Sequence, residues 1–419
     1  MVTQKRRAWL AEDWAVVVLG FLVIVLAIAG IRPAVPAYSW STASDLSAKI
    51  FSVQNLGILG LQFLFVLLIA LGGALMTGKS LKNLLVVFPF IYVVTIFAVI
   101  LAGNKSIKVL NLEAVIFSLT LGLLIGNIFK LPEWFRAALS AEFFVKIGLV
   151  ILGSGVIFSD ILKAGGFGLL QSLIVVLSVW YFAFWLCKRL KVDEELTMMI
   201  SSAVSICGVS AAIATAGAIK GDTKKLSYVI SLVLITAIPM MVFMPYLATY
   251  MGLTQEVTGA WLGGSIDTTG AVVAAGTLVG ETALKISTIV KFSQNVLLGL
   301  AAFAISLYWT YTNHANAATP VGKPTLRIIW DRFPKFVLGF IAASLLFSFV
   351  LSPAAIANVK ESLKNIQTLW FVLAFTSIGL ETNFSDLFKH DNRKPLYAFL
   401  IAQLFNIIVT LLIAMILFR

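Results

Sequence analysis

The chain has 419 residues, of which 60% are hydrophobic and 12% are charged, and its mean hydropathy is +1.00. This composition excludes an ordinary soluble enzyme and indicates a polytopic membrane protein, because many apolar runs reach the ~20 residues that a helix needs to cross a bilayer. The net charge of +12 does not indicate a nucleic-acid partner, because the cytoplasmic loops of membrane proteins are enriched in Lys and Arg.

Predicted helices follow one another along the whole chain, and the expected fold class is all-α. Two segments, 196–219 and 258–280, differ from the rest because they are rich in Gly, Ala, Ser and Thr. We interpret residues 1–109 as N-terminal transmembrane helices and residues 110–419 as a transporter core within a single membrane domain. The apolar helices are placed at 14–32, 56–77, 83–102, 112–129, 143–162, 167–187, 226–251, 285–311, 335–352, 368–386 and 395–418.

The basic loops predict the orientation of the chain. Lys5, Arg6 and Arg7 place the N-terminus in the cytoplasm. A single crossing by 196–219 would put the lysines of 220–225 outside. A re-entrant hairpin there, with a second one at 258–280 from the opposite face, keeps the following basic loops inside. This gives eleven spanning helices and two opposed hairpins, and discontinuous spanning helices are the alternative.

A short internal echo predicts an inverted repeat. Residues 158–163, Phe-Ser-Asp-Ile-Leu-Lys, resemble residues 384–389, Phe-Ser-Asp-Leu-Phe-Lys, and Gly153 and Gly379 precede them at the same offset. By the topology above, an odd number of crossings separates the two copies. They would therefore run in opposite directions, as in the inverted repeats of secondary transporters.

The first small-residue segment, 201–217, has the features of a substrate site. If the chain breaks near Cys207 and Gly208, the following half-helix presents free N–H groups and the positive end of its dipole, which suits an anion. The alternative is that small residues only allow close helix packing. The substrate-binding candidates of this segment are Ser205, Cys207, Gly208 and Ser210.

The second small-residue segment, 263–276, contains an acid at membrane depth. Asp267 could bind Na⁺ or carry a proton, because ionisable residues within a membrane are usually functional. It could also be the N-cap of the helix that follows. The substrate-binding candidates here are Gly264, Ser265 and Thr268, and the ion-coupling candidates are Asp267 and Thr269.

Two further pairs complete the candidate site. Lys291 and Asn295, one helical turn apart, are substrate-binding candidates. Lys291 would neutralise an anionic substrate or pair with Asp267, unless its side chain reaches the membrane interface. Glu381 and Asn383 are ion-coupling candidates, although an acid at the interfacial end of a helix is the simpler interpretation.

The pattern favours a transporter over other membrane proteins. We expect no catalytic residues, no metal site and no cofactor other than Na⁺ or H⁺ as coupling ion, and therefore no enzyme. The expected partners are a small anion and the lipid bilayer, with a homodimer left open. An anion channel and a cation/proton antiporter are the alternatives.

Three stretches resemble one known family. Residues 205–212 resemble the Ile-Cys-Gly-Ala-Ser-Ala signature of the YeiH-type, or UPF0324, membrane proteins, which are assigned to sulfate export. Residues 263–276 resemble that family's Gly-Ala-Ser-Ile-His-Glu-x-Ala-Gln-Val-Val-Ala-Ala-Gly, and residues 289–295 its Val-Val-Lys-Leu-x-Arg. The resemblance extends from about Leu110 to the C-terminus.

The resemblance implies a secondary transporter. The family is distantly similar to the cation/proton antiporter and anion transporter group, in which broken helices or hairpins cross at the substrate site. Here Asp267 replaces the family's His, Gly270-Ala271 replaces its Ala-Gln, and Asn295 stands at or near its Arg. The loss of a His and an Arg and the gain of an acid make cation coupling or a substrate other than sulfate more plausible. The expected substrate is sulfate or an organic sulfonate or carboxylate, coupled to Na⁺ or H⁺, and the resemblance implies a location in the bacterial inner membrane.

Overall fold

A computed structural model of the protein describes residues 8–109, 114–129, 131–312, 330–331, 333–382 and 393–419. These residues form helices joined by short connections, and no β-strand occurs among them. The expected all-α fold is thus confirmed. The principal helices are α1 Glu12–Ile28, α2 Val53–Thr77, α3 Leu81–Ala102, α4 Ala114–Ile128, α5 Ala141–Leu152, α6 Phe158–Arg189, α7 Glu194–Ser202, α8 Val209–Ile219, α9 Thr223–Tyr250, α10 Gln255–Ser265, α11 Thr269–Val279, α12 Glu281–Thr312, α13 Lys335–Leu345, α14 Pro353–Glu381 and α15 Lys394–Leu417.

Several of these helices are long and apolar enough to cross a membrane, which confirms a polytopic membrane protein. Shorter apolar helices, among them α4 and α8, lie between them. The count of eleven crossings and the orientation of the chain stay predictions. Among the described residues, the seven candidate spans are Val53–Thr77, Leu81–Ala102, Glu133–Gly155, Phe158–Arg189, Lys224–Tyr250, Glu281–Trp309 and Lys394–Leu417.

Two helices differ from the sequence prediction. The helix expected at 143–162 ends at Leu152, because a 3₁₀ turn and an extended Val156 separate it from α6. The helix expected at 368–386 instead begins at Pro353, where the Ser352 hydroxyl accepts a hydrogen bond from the backbone N–H of Ala355. Lys360 and Lys364 lower the hydropathy of its first half, whereas a Ser N-cap followed by Pro is a typical helix start.

The chain forms two compact units. The first contains residues 1–159 and 335–383, and the second contains residues 160–334 and 384–419. Helices on both sides of residue 110 pack together in the first unit. The division into N-terminal helices and a transporter core within one membrane domain stays a prediction. The chain passes from the first unit to the second after residue 159 and again after residue 383. The first of these positions lies within one copy of the internal echo, and the second lies at the start of the other copy. The second copy lies outside the described residues, and the inverted repeat stays a prediction.

The first unit is held together by close backbone contact between α4 and α14. A β-carbon on Gly122 would lie 2.5 Å from the backbone oxygen of Thr376 and 2.9 Å from the α-carbon of Gly379. Nearby, the hydroxyl groups of Thr95 and Thr376 are hydrogen bonded at 2.8 Å. Small residues of this kind let membrane helices approach closely enough for their backbones to touch.

We expect Gly122→Ala to destabilise the first unit by about 1–3 kcal/mol, because the added methyl group overlaps backbone atoms that cannot move independently. The measurement is the thermal unfolding midpoint of the purified protein in detergent. Gly57→Ala is the control, since a β-carbon at Gly57 meets nothing within 4 Å. Equal midpoints for the two variants would contradict the close packing of α4 and α14.

Candidate functional site

The first small-residue segment is a broken helix. Helix α7 continues into a π-helical turn, Ala203–Cys207, and ends at Gly208, whose φ of +59° and ψ of −111° are accessible almost only to glycine. Helix α8 then begins at Val209. The predicted break at Cys207 and Gly208 is thus confirmed.

The two ends of this segment lie together. The Lys225 ammonium is 2.7 Å from the Asp193 carboxylate and 3.3 Å from the Glu195 carboxylate. The backbone N–H of Asp222 donates to Glu195 Oε2 at 3.0 Å. Because residues before α7 contact residues after α8, the chain turns back at Gly208 and forms a hairpin, here called hairpin A (residues 193–222). Its re-entry from one face of the membrane stays a prediction.

The second small-residue segment has the same form. Helix α10 ends at Ser265, the backbones of Ile266 and Thr268 are extended, and α11 begins at Thr269. At the other end, Gln255 Oε1 accepts a hydrogen bond from the backbone N–H of Ala283 at 3.4 Å. The start of α10 therefore lies beside the end of α11, and the segment is a second hairpin, here called hairpin B (residues 254–280).

The tips of the two hairpins meet within the second unit. A β-carbon on Gly208 would lie 3.0 Å from the β-carbon of Asp267, in the middle of the second break. The absence of a side chain at Gly208 therefore allows the break of hairpin A to touch the break of hairpin B. Four half-helices therefore end or begin near this point. Two of them, from α7 and α10, present their carbonyl ends, and α8 and α11 present their N–H ends.

Side chains of α12 satisfy the carbonyl ends of both inward half-helices. Lys291 Nζ donates to the backbone oxygen of Ile206 at 3.0 Å and to Gln294 Oε1 at 2.8 Å. Gln294 Nε2 donates to the backbone oxygens of Ser205 at 2.9 Å and Gly264 at 3.2 Å. One helix thus fixes the tips of hairpins A and B relative to each other.

Side chains of α15 complete this network. Gln403 Nε2 donates to the backbone oxygen of Ser265 at 2.8 Å, and Asn406 Nδ2 donates to those of Val204 at 2.9 Å and Ser265 at 3.2 Å. The Thr410 hydroxyl donates to Asn406 Oδ1 at 2.8 Å. These α15 residues were not predicted from the sequence. Polar side chains at i, i+3 and i+7 on an otherwise apolar helix were the available signal.

Two opposite charges are buried at the tips. Asp267 and Lys291 are each 1% exposed. The positive charge of Lys291 acts on Asp267. Asp267 Oδ2 nevertheless has no hydrogen-bond partner among the described residues. Lys291 uses two of its three N–H donors on neutral oxygens, so this cation has capacity for a further acceptor.

The N–H end of α8 is open. Gly208 provides no side-chain cap, and the first intrahelical bond is from Ala212 N to Gly208 O, at 2.9 Å. The amide groups of residues 209–211 therefore lack intrahelical acceptors, and the positive end of the helix dipole lies next to them. Helix α11 differs, because the Thr268 hydroxyl accepts from the backbone N–H of Ala271.

Most of the other predicted residues of the second unit have structural contacts, and Ser210 is the exception. Thr268 rather than Asp267 is the N-cap of α11. The hydroxyls of Ser205 and Ser265 donate to backbone oxygens one turn earlier in their own helices. Cys207 and Gly264 are buried beside them, and the Thr269 hydroxyl accepts from Asn295 Nδ2 at 3.3 Å. Ser210 is exposed on the first turn of α8.

Glu381 is not part of the hairpin tips. Glu381 lies at the end of α14 in the first unit, where its carboxylate accepts from the backbone N–H of Ala141 at 3.4 Å. That hydrogen bond places it at the start of α5. Asn383 lies outside the described residues. The second unit therefore contains all the described candidates except Glu381.

Comparison with known proteins identifies a family of membrane proteins. The family model described as conserved hypothetical protein 698 matches residues 86–398. The UPF0324 membrane protein RB9488 of Rhodopirellula baltica is 40% identical over 388 residues, which cover 90% of this chain and 70% of the relative. Two UPF0324 membrane proteins of Nitratidesulfovibrio vulgaris are 36% and 35% identical, covering 84% and 90% of this chain but 63% and 66% of the relatives. No solved structure matches the chain significantly.

Proposed function

Because the chain belongs to the UPF0324 family of membrane proteins, we propose that it is a secondary active transporter of a small anion. The proposed substrates are sulfate and small organic sulfonates or carboxylates, and the proposed coupling ion is Na⁺ or H⁺. Relatives from bacteria support a location in the bacterial cell membrane. The basic residues near the N-terminus support its proposed placement in the cytoplasm. Substrate, coupling ion and orientation are all parts of this proposal.

The observation that carries the proposal is the meeting of two broken hairpins around buried Lys291 and Asp267. A buried ammonium group with a spare donor attracts an anion. The ammonium group of Lys291 is hydrogen bonded to the backbone oxygen of Ile206, and the open N–H end of α8 begins three residues later in the chain. Broken helices that meet around charged groups are typical of the substrate sites of secondary transporters. We propose that the anion binds between Lys291 and the first turn of α8.

The acid at the site supports ion coupling. Asp267 is fully buried, and one of its oxygens has no partner among the described residues. A carboxylate in this state gains stability from a bound cation or from a proton. A bound cation or a proton on Asp267 would neutralise the carboxylate. The positive charge of Lys291 would then be available to the anion.

Uptake into proteoliposomes tests this function. We expect flux of at least one anion of the proposed class that saturates with its concentration and depends on an imposed Na⁺ or pH gradient. Asp267→Asn should remove the ion dependence while the protein stays folded, because the substitution removes the charge and preserves the shape. Flux that does not saturate would favour an anion channel instead.

A cation/proton antiporter is the second candidate, and the buried acid at the hairpin tips is the observation that favours it. In that case Asp267 would alternate between a cation and a proton without an anionic substrate. Proteoliposomes loaded with a pH-sensitive dye distinguish the two functions. Proton release on addition of Na⁺ alone, without any anion flux, would replace anion transport with antiport.

A further inference from the structure

Three buried side-chain oxygens near the second break lack a hydrogen-bond partner among the described residues. They are Asp267 Oδ2, Asn295 Oδ1 and Gln403 Oε1. Their side chains are buried, with the residues 1%, 5% and 3% exposed. Buried acceptors are nearly always paired, so three unpaired ones at the same turn indicate a ligand that carries positive charge.

The two amides contact hairpin B at residues that precede and follow Asp267 in the sequence. Gln403, on α15, donates to the backbone oxygen of Ser265, two residues before Asp267, at 2.8 Å. Asn295, on α12, donates to the hydroxyl of Thr269, two residues after Asp267, at 3.3 Å. Gln403 Nε2 also donates to Met240 Sδ on α9 at 3.2 Å, so both amide nitrogens already have acceptors. The oxygen of each amide is the atom that stays available.

The chemistry of the unpaired atoms identifies the ligand class. All three are oxygens, which hard cations prefer to nitrogen or sulfur, and only Asp267 contributes a full negative charge. The positive charge of Lys291 acts on the same carboxylate and disfavours a doubly charged ion. We propose that Asp267, Asn295 and Gln403 form a binding site for a monovalent hard cation of the Na⁺ class.

The position of Lys291 predicts that the cation and the anion promote each other's binding. Asp267 and Lys291 together are neutral, so a cation at Asp267 leaves the buried tips with one positive charge. An anion at Lys291 compensates that charge, and the coupling must be reciprocal. This second step rests on the proposed transport of an anion, whereas the cation site itself does not.

The test measures the thermal unfolding midpoint of the purified full-length protein as NaCl replaces choline chloride at constant ionic strength and constant pH. A cation that binds only the folded state raises this midpoint in a saturable manner. We expect such a rise for the wild type and none for Asp267→Asn, which removes the charge but keeps the side-chain shape.

A matched pair of α15 variants separates the cation site from simple packing. Gln403→Leu and Asn406→Leu each remove a donor to the Ser265 carbonyl, but only Gln403 has an unpaired oxygen, because Asn406 Oδ1 accepts from Thr410. We expect Gln403→Leu to raise the half-maximal Na⁺ concentration at least about tenfold. Asn406→Leu should lower the midpoint without Na⁺ but keep the wild-type half-maximal concentration.

Three results would overturn the cation site. They are equal midpoints in the two salts for the wild type, a Na⁺ response that survives in Asp267→Asn, and equal losses of Na⁺ affinity in the two α15 variants. The flux measurement stays independent of this test. An Asp267-dependent Na⁺ response without anion flux would support the cation site and contradict the transport proposal. Anion flux without a Na⁺ response would support the transport proposal and contradict the cation site.

Discussion

Replacement of Lys291 by Met is expected to reduce anion flux at least about 100-fold, because it removes the only buried cation that the described residues place at the hairpin tips. The variant also leaves the Ile206 carbonyl and the Gln294 amide oxygen without their donor, which costs about 1–3 kcal/mol of stability. Flux into proteoliposomes is the measurement, with folding checked by size-exclusion chromatography.

Lys285→Met is the matched control for this substitution. Lys285 lies on the same helix, α12, but its ammonium group is 3.0 Å from Glu281 and its side chain is 27% exposed. The control should retain flux close to that of the wild type, since a partly exposed pair contributes little to stability or to the site. Similar losses in both variants would show that flux depends on the charge of α12 in general rather than on Lys291.

Replacement of Gly208 by Ala is expected to destabilise the protein by about 2–5 kcal/mol and to abolish transport, because two costs add at the tip of hairpin A. The positive φ of +59° is unfavourable for an L-residue, and the new methyl group would lie 2.6 Å from a methyl carbon of Val233 and 3.0 Å from the Asp267 β-carbon. The thermal unfolding midpoint and anion flux are the measurements.

Gly252→Ala separates these two costs. Gly252 has a similar φ of +65°, but a β-carbon there meets nothing within 4 Å. The control should lose only about 1–2 kcal/mol of stability, which is the cost of the left-handed conformation for an L-residue, and should keep its transport activity. Equal destabilisation by the two substitutions would mean that the contact between the hairpin tips contributes nothing measurable.

Much of the site could be predicted from the composition of two segments. Long apolar segments predict membrane-spanning helices. A run of small residues within such a segment predicts a place where the backbone departs from the helical conformation. Gly208 marked the first break because few other residues adopt its conformation. Asp267 and Lys291 were conspicuous because charged residues at membrane depth are costly.

The remaining contacts depend on tertiary structure and could not be predicted locally. The spacing of Gln403, Asn406 and Thr410 indicates one helical face, but nothing in the sequence indicates that this face satisfies the carbonyl ends of both hairpins. Thr268 and Asp267 are both plausible N-caps, and only the backbone of the turn decides in favour of Thr268. Glu381 was predicted as a coupling residue from its charge alone, whereas its position in the first unit follows from the contact of α14 with α5.

Anion binding to the purified protein tests the central claim most directly. The measurement is the thermal unfolding midpoint with a panel of anions (sulfate, small sulfonates and small carboxylates), each with Na⁺ or choline, for the wild type and for Lys291→Met. We predict that at least one anion raises the midpoint of the wild type, more so with Na⁺, and that Lys291→Met does not respond. A wild type that responds to no anion of the panel, or a response that survives in Lys291→Met, would contradict an anion site at the tips of the two hairpins.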